Sequence, residues 1–349
     1  MSVVSQLQRD LLDVLRDATG RPDLGFDGEL RPLSGGFWAE LLVLRLLDAP
    51  AGWEGELVVR LMPDPGIAAK ESAVQAEVAA QGFPTPSVHL VGGPADGLGR
   101  SFMVMDLAAG GPLLSGLDGF SALTRAPGLV RRLPRTLADA MAALHRLDVA
   151  PVRARLEGEG DGDTGPAVEL DDHLSRLSTA AAALDRHDLV DAIRWLEAHP
   201  PPAEPVVICH GDLHPFNLLV DAEADGAVTV LDWSAALLAP AAYDVAFTSL
   251  LLSEPPLDVP RPLAPVARGF GRLLARRFRR AYASAAARDL DPVSLRWHEA
   301  VVCLRALVEV AEWVAAGELG AHRGHPWLTS GPAFADRLQR LTGAPVRAR

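Results

Sequence analysis

"HGDLHPFN", residues 210–217, follows the apolar run "PVVIC" (205–209) and leads into "LLV" (218–220). An apolar strand that runs into His, Asp, His and Asn reads as a delivery device. The strand buries itself, and the loop lifts its polar side chains at a fixed separation. The return strand of a hairpin, "VTVLD" (228–232), ends at Asp232. Because a hairpin brings its ends together, Asn217 and Asp232 are expected to be neighbours. An amide oxygen and a carboxylate are hard donors of the kind Mg²⁺ takes beside substrate phosphates. Asp212, a few residues away, could accept a proton from an attacking hydroxyl. Metal, positioning and a base-like carboxylate are the parts phosphoryl transfer requires. His210 and Asp212 alone would read as a turn cap; the joint pattern with Asn217 and Asp232 points to chemistry.

The surrounding chain has 349 residues, enough for two lobes sharing a cleft. Its 49% hydrophobic and 22% charged content is that of a globular protein. The net charge of −12 argues against nucleic acid as the main partner, since polyanion binders carry a basic excess. Cys209 and Cys303 have no metal-ligand spacing and stand in apolar runs. They read as core residues in a reducing compartment. The N-terminus lacks the pattern of a signal peptide, and the apolar runs are too interrupted to span a membrane. A cytoplasmic protein with no membrane partner is expected. Lys70 is the only lysine, so phosphate chemistry elsewhere must use arginine.

Helical spacing of Leu7, Leu11, Leu12, Val14 and Leu15 predicts an amphipathic leading helix over 5–18. Strands are expected in 28–48, 55–63 and 101–107, with one helix at about 68–82. A Gly-rich connector follows at 108–113. Beyond it, helices are predicted over 130–148 (Pro134 near its start), 170–184, 187–198, 262–286 and 294–317. Only 206–233 has strand character there. The acidic, Gly-rich "LEGEGDGDTG" (156–165) reads as a loop. The expected organisation is a nucleotide-binding lobe, 1–107, and a helical lobe, 108–349, carrying the catalytic loop, metal site and acceptor pocket.

"HGDLHPFNLLV" followed by "VLDWS" resembles the catalytic and metal-binding loops of the aminoglycoside phosphotransferase family, relatives of the protein kinases. The resemblance implies an α+β, protein-kinase-like two-lobed fold, mostly β then mostly helical. It implies Asp212 as catalytic base and Asn217 and Asp232 as Mg²⁺ ligands. His210 and Asp244 (in "AAYDVAFTS") would support the catalytic loop. His214 stands where protein kinases carry lysine, which favours a small-molecule acceptor. Phe216 fills a slot where Gly is common, and Leu238-Ala239-Pro240 replaces the usual Gly-Asp-Pro. "LSGGFWAELLVLRL" is similar to the nucleotide-positioning loop, with Ser34, Gly35 and Gly36 at its turn. Arg60 in "LVVRL" takes the place of the phosphate-contacting strand residue, with Glu71 as its helix partner and Glu77 in reserve. Met105, Asp106 and Leu107 match the hinge that faces adenine.

The resemblance implies an enzyme that moves the γ-phosphate of ATP or GTP, with Mg²⁺, to a hydroxyl of a small molecule. Aminoglycoside or macrolide antibiotics and related metabolites are candidate acceptors. The alternative is a non-catalytic nucleotide-binding sensor or scaffold of the same fold. The arginine run "RGFGRLLARRFRRAY" (268–282) fits a solvated helix face better than a nucleic-acid site. Trp297, His298 and Trp313 could wall an acceptor pocket or pack in the core.

Overall fold

A computed structural model describes residues 3–33, 39–113, 119–159, 168–254 and 264–348. The nucleotide-loop positions Ser34, Gly35 and Gly36 lie outside the described residues. The chain forms two compact units, each assembled from three stretches. The first comprises Met1–Gly111, Ala150–Pro166 and Leu219–Ser234; the second comprises Pro112–Val149, Ala167–Leu218 and Ala235–Arg349.

The first unit is built on a twisted antiparallel sheet. Its strands are β1 (Gly25–Phe26), β2 (Arg31–Pro32), β3 (Glu40–Leu47), β4 (Glu56–Met62), β5 (Val88–Gly92) and β6 (Ser101–Asp106). They run in the order β1-β3-β4-β6-β5, with β2 also on β3. Strand period two sorts the β4 side chains onto opposite faces. Leu57, Val59 and Leu61 pack with Leu11 and Leu15 of helix α1 (Val3–Thr19). Met62, two positions on from Arg60, joins Met103 of β6 and Ala68 of helix α2 (Pro65–Ala80) on the other face. Arg60 is thereby delivered to the α2 side of the sheet. Asp64 caps α2 by accepting the Ile67 N–H at 2.9 Å, and Pro65 supplies a first helical position with no N–H of its own to satisfy. This unit also holds nearly all of helix α4 (Val149–Glu159) and most of the hairpin β9 (Leu218–Asp221)–β10 (Ala227–Val230). The short strand β7 (Gly111–Pro112) lies beside β9.

The second unit is helical. Its helices are α3 (Gly119–Leu144), α5 (Leu170–Ala183), α6 (His187–Ala198), α7 (Ala242–Ser253), α8 (Ala264–Ala286), α9 (Pro292–Ala316) and α10 (Pro326–Thr342). One ribbon, β8 (Val206–Cys209) antiparallel to β11 (Leu237–Pro240), completes it. Every residue of α7 from Ala242 to Leu252 is buried, so α7 is the central helix of this unit. Helix α9 is capped by Asp291, which accepts from Val293 and Ser294, and is closed by left-handed Gly317. Among the described residues, no helix is long and apolar enough to cross a membrane.

Two sequence expectations are corrected. The helix expected over 130–148 starts at Gly119 and ends at Leu144, which puts Pro134 well inside it. The first residues of the acidic segment, Leu156–Glu159, belong to α4. Arg, Leu and Glu favour helix enough to carry Gly158, whose cost is only about 1 kcal/mol. Of the two readings open for Trp297 and His298, core packing is the one the structure gives, since both are buried. The Trp297 indole N–H donates to the Leu196 carbonyl, and His298 Nδ1 lies 2.8 Å from the Ser294 carbonyl.

Candidate active site

Asp212 stands on a loop held almost entirely by backbone contacts. β8 ends at Cys209, and Asp244 of α7 accepts the next two amides. The His210 N–H donates to Oδ2 and the Gly211 N–H to Oδ1, both at 2.8 Å. Gly211 adopts φ +76, and a Cβ there would lie 2.0 Å from the Ala235 carbonyl oxygen. No other residue fits that turn. The Asp212 N–H donates to His210 Nδ1 at 3.2 Å, and Thr248 of α7 donates to the Leu213 carbonyl at 2.7 Å. The loop closes on itself when Asn217 Nδ2 donates to the Asp212 carbonyl at 2.9 Å and to its Oδ2 at 3.2 Å. His214 Nε2 lies 3.6 Å from the same Oδ2, and Phe216 is exposed. Asn217 spends its amide hydrogens on Asp212, which orients Oδ1, a hard oxygen donor, away from that contact.

Asp244 is fully buried. Burial works to raise its pKa. The hydrogen bond and charge of His145, with the charge of His210 and the Gly211 amide, outweigh that and hold it below the ordinary carboxylate value. His145 is in turn fixed by Tyr282, whose hydroxyl is 2.7 Å from Nδ1.

A second support comes from α9. Arg305 donates to the Gly211 carbonyl at 2.8 Å and, through Nε, to Glu309 at 2.8 Å. Glu309 also accepts the Trp327 indole N–H at 2.7 Å. Burial would push Glu309 up, but Arg305 and Trp327 pull its pKa below the usual value, so the pair stays charged. Sequence reasoning missed Arg305, His145 and Tyr282. Each comes from a distant helix: Arg305 touches the loop itself, whereas Tyr282 acts through His145 and His145 through Asp244.

In the first unit, Arg60 lies between two carboxylates. Its guanidinium is 3.2 Å from Glu71 Oε1 and 3.4 Å from Asp232 Oδ1. Arg60 Nε is buried and has no partner among the described residues. Glu71 is buried on α2, whereas Glu77 pairs with Arg155 of α4 at 3.1 Å. Burial, reinforced by the Asp232 charge and opposed by Arg60, pushes Glu71 up to about 7. Asp232 sits at φ +66, a left-handed conformation uncommon for a residue with a side chain. Ser234 supports it with a hydroxyl donated to Oδ1 at 2.7 Å. Thr85 fixes both neighbours of the Leu231-Asp232 pair, donating to the Val230 carbonyl and accepting the Trp233 indole N–H, each at 2.9 Å.

At the hinge positions the backbone amides are already used. Asp106 N–H donates to the Ser87 carbonyl and Leu107 N–H to the Glu56 carbonyl. The Asp106 side chain accepts from or pairs with His89 at 2.6 Å, and Met105 Sδ accepts from Gln75.

A sheet-and-helix unit with a buried Arg–Glu pair, and a helical unit presenting a braced His-Gly-Asp loop, define a phosphotransferase of protein-kinase-like fold. The chain belongs to the phosphotransferase enzyme family, whose model matches residues 29–287. Among solved structures, it is similar to a Ralstonia eutropha JMP134 protein provisionally named an aminoglycoside phosphotransferase. The two share 18% identity at a TM-score of 0.65, over 96% of this chain and 99% of that one. A thermostable mutant of aminoglycoside phosphotransferase APH(4)-Ia, in a ternary complex with ADP and hygromycin B, shares 17% identity. Its TM-score is 0.58, over 96% and 98% of the two chains. The macrolide 2'-phosphotransferase MphH of Brachybacterium faecium shares 21% identity at a TM-score of 0.54, over 91% and 98%. No curated protein matches the chain. At these identities the likenesses establish the fold.

Proposed function

We propose that this phosphotransferase moves the γ-phosphoryl group of ATP or GTP to a hydroxyl of a small molecule. The observation that carries the reading is the locked loop around Asp212. Its backbone is held by Asp244 and Arg305, and its carboxylate is hydrogen-bonded by Asn217. Such preorganisation suits a group that must orient an acceptor hydroxyl and take its proton as the new P–O bond forms. Arg60, clamped by Glu71 and carrying an unspent buried Nε–H, suits the α and β phosphates of the nucleotide. With the amides of 106 and 107 occupied, recognition of the base by Met105, Asp106 and Leu107 falls to their carbonyls.

The donor chemistry of Asn217 and Asp232, one amide and one carboxylate oxygen, fits Mg²⁺. When bound, that ion would neutralise charge on the nucleotide phosphates. The structural likeness to an enzyme holding ADP and hygromycin B, and to a macrolide phosphotransferase, supports a hydroxylated antibiotic or related metabolite as acceptor. A cytoplasmic role in resistance or metabolism is consistent with that chemistry.

The test is nucleotide consumption with Mg²⁺ across a library of hydroxylated antibiotics and metabolites, with wild type and Asp212→Asn. The variant is expected to lose at least about a thousandfold in kcat while its nucleotide Kd stays within twofold. Nucleotide binding by the wild type with no turnover on any acceptor would instead make the protein a sensor or scaffold.

A further inference from the structure

The arginines of 268–282 lie on a largely solvated helix face, and four of them also line a cavity. Spacings of four, four and three place Arg268, Arg272, Arg276 and Arg279 on one face of α8. Within the same unit, Arg337 and Arg340 of α10 line the same cavity, which has a volume of about 450 Å³. Six guanidinium groups thus meet three carboxylates, those of Glu254, Glu299 and Asp336. The cavity carries a cationic excess in a chain whose net charge is −12.

Its floor is built rather than accidental. Glu299 of α9 is 4% exposed and pairs with Arg337 and, at 4.0 Å, with Arg279, which fixes one arginine from each wall. Ser249 of α7 lines the floor, is 3% exposed, and its hydroxyl has no hydrogen-bond partner among the described residues. A buried hydroxyl left unspent below a ring of guanidinium groups calls for an oxyanion acceptor. The planar fork of arginine matches phosphate oxygens two at a time. The volume exceeds the needs of one phosphate and falls in the range of small-molecule sites.

We infer that the cavity between α7, α8, α9 and α10 is a binding site for a soluble oligophosphate or a phosphate ester with more than one anionic group. It is independent of the phosphotransfer reading, because no residue of that reading lines it. A phospholipid headgroup offers the same chemistry, and Val266, Phe270 and Leu273 are exposed on α8 beside the arginines. The test therefore separates the two sources.

Calorimetric titration with pyrophosphate in magnesium-free buffer at moderate salt is expected to show one site on the wild type. Affinity should be unchanged in Arg60→Met. It should fall at least tenfold in the double variant Arg272→Glu/Arg276→Glu and in Arg340→Glu. These side chains are exposed, so circular dichroism is expected to show intact folding. Ser249→Ala, which alters no charge, should weaken binding severalfold. Three results would overturn the proposal. The first is no pyrophosphate binding by the wild type, including the case where the protein sediments with phosphatidylglycerol vesicles. The second is binding lost in Arg60→Met yet retained in the double variant. The third is affinity indifferent to both Ser249→Ala and the arginine reversals.

Discussion

Gly211 has its amide held by Asp244, its carbonyl by Arg305 and the space of its missing side chain filled by Ala235. The backbone before Asp212 is therefore fixed from three directions, and Arg305 is the contribution most easily separated from the rest. Arg305→Met should lower kcat at least tenfold with little change in the nucleotide KM. It should also cost about 1–3 kcal/mol in urea denaturation, because half-buried Glu309 would lose its charge partner and keep only the Trp327 N–H. Arg305→Lys should recover more of the stability than of the rate. A KM effect that exceeds the kcat effect would argue against a positioning role. The eight-residue motif made Asp212 and Asn217 legible because the polar groups sit within one loop. Arg305 was hidden because an arginine on an amphipathic helix looks the same whether it faces water or a carbonyl.

At the scale of elements, the β9–β10 hairpin shows what pattern can and cannot supply. Two short apolar runs, "LLV" and "VTVL", announced the hairpin. They said nothing of Thr85, which lies far away in "FPTP" and holds the backbone on one side of Asp232 and the indole on the other. Thr85→Val should cost about 1–3 kcal/mol, since the Trp233 N–H loses its buried acceptor. It should also weaken nucleotide binding, measurable by calorimetry, by loosening the left-handed turn at Asp232. Undiminished affinity would show that Ser234 alone holds that turn. Helix α7 was not among the expected helices, because a run that is apolar on every side carries no helical periodicity to read. The beginning of α3 was not legible either, because the sequence between Gly119 and Pro134 offers no cap and a proline would ordinarily end a helix.

Across the whole molecule, buried titrating groups set opposing pH responses. Burial lowers His298 and His325 to about 4 each. The unfolded chain takes up those protons at a pKa of about 6.5, so each histidine makes stability fall as pH drops from about 6.5 to about 4. The slope is about 1.4 kcal/mol per pH unit for each. Glu71, raised to about 7, acts in the other sense: between about 4.5 and 7 the folded protein holds the extra proton, and stability falls as pH rises. His298→Gln should flatten the acid-side loss by roughly one proton, and Glu71→Gln should steepen it. Denaturant midpoints measured from pH 4.5 to 7 check both signs. The net charge was legible in composition; these compensations were not, because they depend on which histidines the helices enclose.

The interleaving of the two units has a consequence for genetic dissection. A gene truncated after Gly111 encodes the sheet, α1 and α2, but not Leu219–Ser234. That fragment retains Arg60 and Glu71 while losing Asp232 and the indole that Thr85 holds. The complementary fragment carries the hairpin with no sheet beside it. Split-gene complementation at this point should therefore yield two poorly folding pieces that recover only when co-expressed. Grafting the hairpin onto the end of the first fragment should restore it alone.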